Sequence, residues 1–180
     1  MTNVKISADT NHTFELKNVQ MNNINKTPSS TYTIRFNDCD MFGHLNNVRY
    51  LEYFINARED HLKEAYNVSL DHYFKEGYGW VITSHEILYI RPAKFNEAIK
   101  ITSYLLKVTD DLLMVEMQML TKEGNSLKSL IRTTFVPVHI KTGRKDKHTN
   151  AFMEFAKSVE LDDNFTNISL YDRAALLSEE

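Results

Sequence analysis

One long amphipathic segment, residues 47–66, constrains the fold of this chain more than any other feature. Apolar side chains recur along it at helical spacing and define one stripe: Leu51, Phe54, Ile55, Leu62 and Ala65. Charged and amide side chains occupy the opposite side, and Asn46 or Asn47 is suited to cap the first turn. A helix of this length spans roughly 30 Å, so the sequence predicts a rod that can lie along a sheet.

The segments on both sides of this helix have the patterns of β-strands. Residues 31–36 alternate β-branched and aromatic side chains before it, and four strand patterns follow it at 80–90, 98–108, 113–121 and 127–136. Within 113–121, Glu116 and Gln118 alternate with apolar residues, which is typical of a half-buried strand. Short helices are predicted at 69–75 and from about 151. This order predicts an α+β fold with an antiparallel sheet of about five strands wrapped around the helix.

The two ends of the chain differ from this middle part. Residues 1–30 are rich in Asn, Thr and Ser and predict a flexible or loosely docked arm. Residues 31–157 then form a single domain, and residues 158–180 an acidic C-terminal tail with a small apolar patch. Such a sheet covers its helix on one side only, so we expect a second copy to pair with it, as a homodimer or homotetramer.

Composition restricts the partners of the chain. A formal charge of −3 gives no reason to expect nucleic acid, and no apolar run approaches the length of about 18 residues that a membrane helix needs. The first residues lack the apolar centre of a signal peptide, and Cys39 is the only cysteine. These observations predict a cytoplasmic protein that does not enter membranes.

The junction between the first strand and the long helix carries the chemistry. Asp38, Asp40, Gly43 and His44 lie within seven residues there. The first amides of a helix favour negative charge at such a junction. A carboxylate beside them can attack a carbonyl or activate water, while the amides stabilise the oxyanion that forms. The arrangement favours acyl transfer to water.

Residues 35–51 resemble the opening motif of the hotdog-fold acyl-CoA thioesterases, the 4-hydroxybenzoyl-CoA thioesterase-like family. The shared pattern is an aromatic residue, D-x-D, a glycine, a histidine and N-N-x-x-Y, and the later order of elements is also similar, over about 31–140. The resemblance implies a hotdog fold and hydrolysis of acyl-CoA to free acid and coenzyme A. It further implies active sites shared between subunits and no cofactor, since coenzyme A is part of the substrate.

The resemblance places the catalytic carboxylate at Asp40, as nucleophile or as general base, with the N-terminus of the helix as the oxyanion site. The alternative role of Asp40 is to cap a turn or the helix. His44 is the second predicted catalytic residue, through Asp40, a water molecule or the acyl carbonyl. Its alternative is a turn residue that faces solvent.

Five further residues are predicted to bind substrate: Gly43, Asn46, Asn47, Tyr50 and Phe54. Gly43 would let the backbone approach the substrate closely. The two asparagines serve as helix caps or donors, and the two aromatic residues line an acyl pocket or belong to the core. Six basic residues are candidates to hold the phosphates of coenzyme A: Arg91, Lys94, Lys128, Arg132, Arg144 and Lys145.

Other assignments of this motif are less favoured. Asp38 suits a structural role, and neighbouring carboxylates suppress the thiolate of Cys39. A metal site of Asp38, Asp40 and His44 matches no strong ligand spacing. Plant-type acyl-carrier-protein thioesterases have a similar motif, but they carry Asn where this chain has Phe42, and they contain two hotdog units. The alternatives to an acyl-CoA thioesterase are therefore an enzyme for carrier-bound acyl groups and a non-catalytic acyl-binding or interaction module.

Overall fold

The computed structural model describes residues 24–161 and 165–179. Its five strands are β1 (Ser29–Thr33), β2 (Tyr78–Tyr89), β3 (Ala98–Thr109), β4 (Leu112–Thr121) and β5 (Leu127–His139). Its four α-helices are α1 (Asn47–Tyr66), α2 (Leu70–Lys75), α3 (Asn150–Val159) and α4 (Leu170–Glu179). Two 3-10 turns, Phe36–Asp38 and Phe165–Asn167, precede α1 and α4.

The strands form one antiparallel sheet in the order β1-β3-β4-β5-β2, so β1 and β2 are its edges. The predicted α+β architecture, with five antiparallel strands and a long helix, is confirmed. β1 ends at Thr33 and not at Phe36, because the chain enters a 3-10 turn there, and it begins within the predicted arm. Residues 1–23, the rest of that arm, lie outside the described residues.

Helix α1 has the predicted limits and packs over β1 and β3. The Asn46 side chain caps its first turn, and Asn67 ends it in the left-handed conformation (φ 54°). Its buried side differs from the predicted stripe, since Ala65 is exposed whereas Arg58 and His61 are buried. Both of these polar residues contact the Ser103 hydroxyl on β3, which compensates in part for their burial.

Helix α4, which lies within the segment predicted to form a tail, packs on the outer face of the sheet against β5 and β2. Leu170 is fully buried against Leu127 and Leu130 of β5. Beside it, the Glu116 carboxylate accepts hydrogen bonds from the guanidinium groups of Arg132 and Arg173. The prediction that β4 is half-buried is therefore wrong, because its polar side is covered as well.

Candidate active site

The junction between β1 and α1 is a tight loop closed on itself. The Asp40 amide donates to the His44 carbonyl (2.8 Å), and the Gly43 amide donates to the Asp40 carbonyl (3.0 Å). Gly43 has a φ of +73°, a conformation that costs other residues about 1–2 kcal/mol. The glycine therefore permits the turn that brings the two ends of the loop together.

The Asp40 carboxylate is held by this same loop. Its Oδ1 atom accepts hydrogen bonds from the Phe42 amide (2.9 Å) and the His44 amide (3.2 Å). The side chain is exposed, and among the described residues its Oδ2 atom has no hydrogen-bond partner. Asp40 thus has the turn-capping role that the sequence allowed, and these contacts also fix the direction of its second oxygen. His44 contacts Asp40 through its backbone and not through its imidazole.

The loop is fastened to the turn between β2 and β3. The Leu45 amide donates to the Ala93 carbonyl (2.8 Å), and the Phe95 amide donates to the Gly43 carbonyl (2.9 Å). The buried Tyr50 hydroxyl accepts a hydrogen bond from the Ala93 amide (3.0 Å). Helix, loop and turn therefore form one unit, which positions the Asp40 carboxylate.

The first turn of α1 lies beside Asp40. The Asn46 side chain accepts from the Val48 amide (3.2 Å), as an N-cap does, and the Asn47 carbonyl accepts from the Tyr89 hydroxyl (3.0 Å). Within the described part of the chain, the Asn47 amide has no acceptor. An N–H group at the positive end of a helix is suited to bind an oxyanion.

Two shallow cavities meet at Asp40. The first, of about 210 Å³, has a lining that includes Asp40, His44, Asn47, Tyr50, Tyr89 and Arg91. The second, of about 330 Å³, is lined by Asp40, Gly43, Cys39, Asn37 and the edge-to-face pair Phe36 and Phe95. The structure therefore brings together the predicted residues Asp40, Gly43, His44, Asn47 and Tyr50. Asn46 is a helix cap, and Phe54 is fully buried in the core and lines neither cavity.

Asp38 and Cys39 have structural contacts. Asp38 accepts a hydrogen bond from the Tyr53 hydroxyl (2.8 Å) and lies 3.8 Å from Arg49 Nε. The Cys39 thiol donates to the Arg35 carbonyl (3.3 Å). Desolvation, together with the charges of Asp38 and Asp40, raises the pKa of the Cys39 thiol, which opposes formation of a thiolate at neutral pH.

The six basic candidates separate into three groups. Lys128 is paired with Glu97 (2.7 Å), and Arg132 is buried against Glu116, so neither is available to a phosphate. Arg144 and Lys145 follow β5, and Lys145 pairs with Asp111. Arg91 lines the first cavity, and Lys94 pairs in a β-bridge with His44.

Sequence reasoning found Tyr50 but missed the other aromatic residues that line these cavities, Tyr89, Phe36 and Phe95. Tyr89 ends β2 and packs edge-to-face on Tyr50 (5.1 Å between ring centroids), while Phe36 and Phe95 come from two different turns. The Arg91-Pro92-Ala93 turn could have indicated Tyr89 and Phe95, which flank it in sequence, because this turn is hydrogen-bonded to the loop that carries Asp40.

In residues 24–161 and 165–179, no three His, Cys, Asp or Glu side chains are grouped so that they could hold a metal ion. Over the same residues, no helix combines the length and the apolarity needed to cross a membrane.

The family model of the thioesterase-like superfamily matches residues 34–168, which include the loop, α1 and all strands from β2 to β5. The chain belongs to this superfamily. A search of curated protein sequences gives no match.

Several solved structures are similar to this chain in fold. YbaW, a probable thioesterase from Escherichia coli, is 22% identical over 74% of this chain and 98% of its own, with a TM-score of 0.65. The DHNA-CoA thioesterase from Staphylococcus aureus is 15% identical over 85% of this chain and 93% of its own, with a TM-score of 0.67. A Staphylococcus aureus protein solved in complex with CoA is 14% identical over 77% of this chain and 89% of its own, also with a TM-score of 0.67. This thioesterase-like chain therefore has the hotdog fold.

Proposed function

We propose that this superfamily member hydrolyses acyl-CoA thioesters, with Asp40 as the catalytic carboxylate. The observation that carries the proposal is that the exposed Asp40 carboxylate and the start of α1, at Asn47, line one cavity. Hydrolysis of a thioester needs a nucleophile or base on one side of the carbonyl and a donor for the developing oxyanion on the other. In this cavity, Asp40 can serve as the nucleophile or base and the Asn47 amide as the oxyanion donor.

The Asp40 carboxylate has two routes to the same products. It attacks the thioester carbonyl, which expels the coenzyme A thiolate and forms an anhydride that water then cleaves. Alternatively, it takes a proton from a water molecule, which attacks the carbonyl directly, and the tetrahedral intermediate then expels the coenzyme A thiolate. In both routes the Asn47 amide stabilises the oxyanion. His44 lines the same cavity and contacts the acyl carbonyl or the water, and the Gly43 turn lets the substrate approach.

The acyl-CoA class is supported by the superfamily and by the structural relatives, one of which binds CoA. Of the six basic candidates, Arg91 and Lys94 lie next to the loop, and they are proposed to hold the phosphates. We further propose a cytoplasmic homodimer or homotetramer. Its support is the exposed edge strand β2, where residues 81–86 are all exposed in a single copy.

Substitution of Asp40 by Asn tests the proposal. The amide oxygen of Asn can still accept from the Phe42 and His44 amides, so the loop should keep its shape while the carboxylate is lost. We expect thiol release from a panel of alkyl and aryl acyl-CoAs to fall at least ~100-fold, as for the loss of a principal catalytic group. Asp71→Asn, an exposed site on α2, is the matched control and should keep full activity.

Three results would contradict parts of this proposal. Equal turnover by Asp40→Asn would exclude Asp40 as the catalyst. A native protein that binds acyl-CoA without releasing thiol would be the non-catalytic module. Hydrolysis of acyl-carrier-protein substrates alone would replace acyl-CoA as the substrate class.

A further inference from the structure

The donor that the proposed function assigns to the oxyanion is the N–H group of Asn47, the first residue of α1. Asn47 lines the cavity that contains Asp40, and its amide has no acceptor within the described residues. A donor stabilises an oxyanion best when its direction is fixed before the charge develops, because no reorganisation is then needed during the reaction. The contacts that hold the Asn47 backbone therefore bear on the reaction.

The two peptide groups that meet at Asn47 are both held by hydrogen bonds. In the first group, which contains the Asn47 N–H, the Asn46 carbonyl accepts from the Arg49 amide (2.8 Å). In the second group, the Val48 amide donates to the Asn46 side chain (3.2 Å), and the Asn47 carbonyl accepts from the Tyr89 hydroxyl (3.0 Å). Because peptide groups are planar, these contacts fix both planes and with them the direction of the Asn47 N–H.

Among these partners, Tyr89 comes from a distant part of the chain. Asn46, Val48 and Arg49 are neighbours of Asn47 in sequence, so their bonds belong to the end of the helix, and helix ends fray. Tyr89 lies 42 residues further along the chain, at the end of β2. Its hydroxyl therefore ties the first turn of α1 to the sheet.

The Tyr89 side chain is itself supported. Its ring packs edge-to-face on Tyr50, with 5.1 Å between the ring centroids. Tyr50 is buried, and its hydroxyl is bonded to the Ala93 amide. Both tyrosines line the cavity that contains Asp40. Tyr89 thus presents its hydroxyl to Asn47 from a braced position beside the proposed catalytic carboxylate.

We propose that Tyr89 is a positioning residue for thioester hydrolysis, which holds the Asn47 backbone so that its N–H group points at the developing oxyanion. The inference rests on the proposed function, since it takes the thioester carbonyl to be between Asp40 and Asn47. Tyr89 neither attacks the substrate nor transfers a proton in this role. Its contribution is made in the transition state, where the carbonyl oxygen gains charge, so it should change kcat and not KM.

Tyr89→Phe tests the proposal by hydrolysis, because it removes the hydroxyl and keeps the ring that packs on Tyr50. For the acyl-CoA that the native protein hydrolyses fastest, we expect kcat to fall about fivefold, the effect of one ordinary hydrogen bond, with KM unchanged. Tyr171→Phe, at an exposed position of α4, is the matched control and should change neither constant. An unchanged kcat in Tyr89→Phe would overturn the proposal. A rise in KM alone would also overturn it, since Tyr89 would then be a substrate contact.

Amide nitrogen relaxation, measured by NMR on the free protein, separates positioning from a direct role of the hydroxyl. We expect the order parameters of the Asn47 and Val48 amides to be about 0.85 in the native protein, as in rigid backbone, and to fall towards about 0.6 in Tyr89→Phe. The amide of Phe54, in the middle of α1, should not change. A lower kcat with unchanged order parameters would overturn the proposal, because the hydroxyl would then act on the reaction itself.

Failure of the proposed function gives a different pattern of results. A native protein without activity would refute the proposed function and this role of Tyr89 together. Full activity in Asp40→Asn would exclude Asp40 as the catalyst, and kcat of Tyr89→Phe would still decide whether Tyr89 serves the reaction. A normal kcat in Tyr89→Phe beside an inactive Asp40→Asn would refute the role of Tyr89 alone.

Discussion

Replacement of Glu116 by Gln tests whether the C-terminal helix is an integral part of the domain. The Glu116 side chain is fully buried and joins two guanidinium groups, with Arg132 Nε and Nη2 both at 3.1 Å and Arg173 Nε at 3.0 Å. Arg132 also donates to the Ile168 and Phe165 carbonyls, and the Arg173 guanidinium lies 3.7 Å from the centroid of the Phe165 ring. One carboxylate thus organises the attachment of residues 165–179 to the sheet.

The magnitude follows from the charges that would remain. Gln has the shape of Glu but no charge, so two buried guanidinium groups would lose their counter-ion. Breaking a buried ion pair by removing one partner costs about 3–5 kcal/mol. Against a typical stability of 5–15 kcal/mol for a domain this is a large fraction, and it corresponds to a fall in Tm of about 10 °C.

Urea unfolding, followed by Trp80 fluorescence, measures this loss in Glu116→Gln. Hydrogen exchange should also show faster exchange of amides in α4 than in α1. Glu123→Gln, an exposed site in the turn between β4 and β5, is the control and should change stability by less than about 0.5 kcal/mol. If Glu116→Gln were as mild as this control, with α4 still protected, the ion cluster would not be what holds α4 on the sheet.

Two further predictions concern pH and assembly. Burial, together with the charge of Arg58, lowers the pKa of His61 to about 4. Between pH 6.5 and about 4, His61 is therefore protonated in the unfolded state but neutral in the folded state. The free energy of unfolding should therefore fall by about 1.4 kcal/mol per pH unit as the pH is lowered over that window, about 3 kcal/mol in all. His61→Gln should remove this part of the loss when urea unfolding is measured at a series of acidic pH values. If the variant had the same pH slope as the native protein, the assignment to His61 would be refuted. On the edge strand β2, Val81→Lys should convert the proposed dimer to a monomer of 21.0 kDa in light scattering, and a monomeric native protein would contradict the assembly itself.

Much of the fold could be predicted because it depends on local pattern. The limits of α1 follow from the 3.6-residue period and from the Asn46 cap, and the strands β2 to β5 follow from alternation between turns. The motif around Asp40 was also visible, since Gly43 and the adjacent amides act within a few residues of chain. These features are set by neighbours in sequence, so the sequence alone determines them.

Other features depended on which distant segments meet. Glu116 is in an alternating strand and has the pattern of a solvent-facing residue, and only the packing of α4 buries it. The burial of Arg58 and His61 required the Ser103 hydroxyl on β3, and the cavities beside Asp40 required the turn around Ala93. The side-chain pattern of one element reports its own periodicity but not the partner that covers it. Only the tertiary structure could therefore decide which polar groups are buried and which spaces stay open.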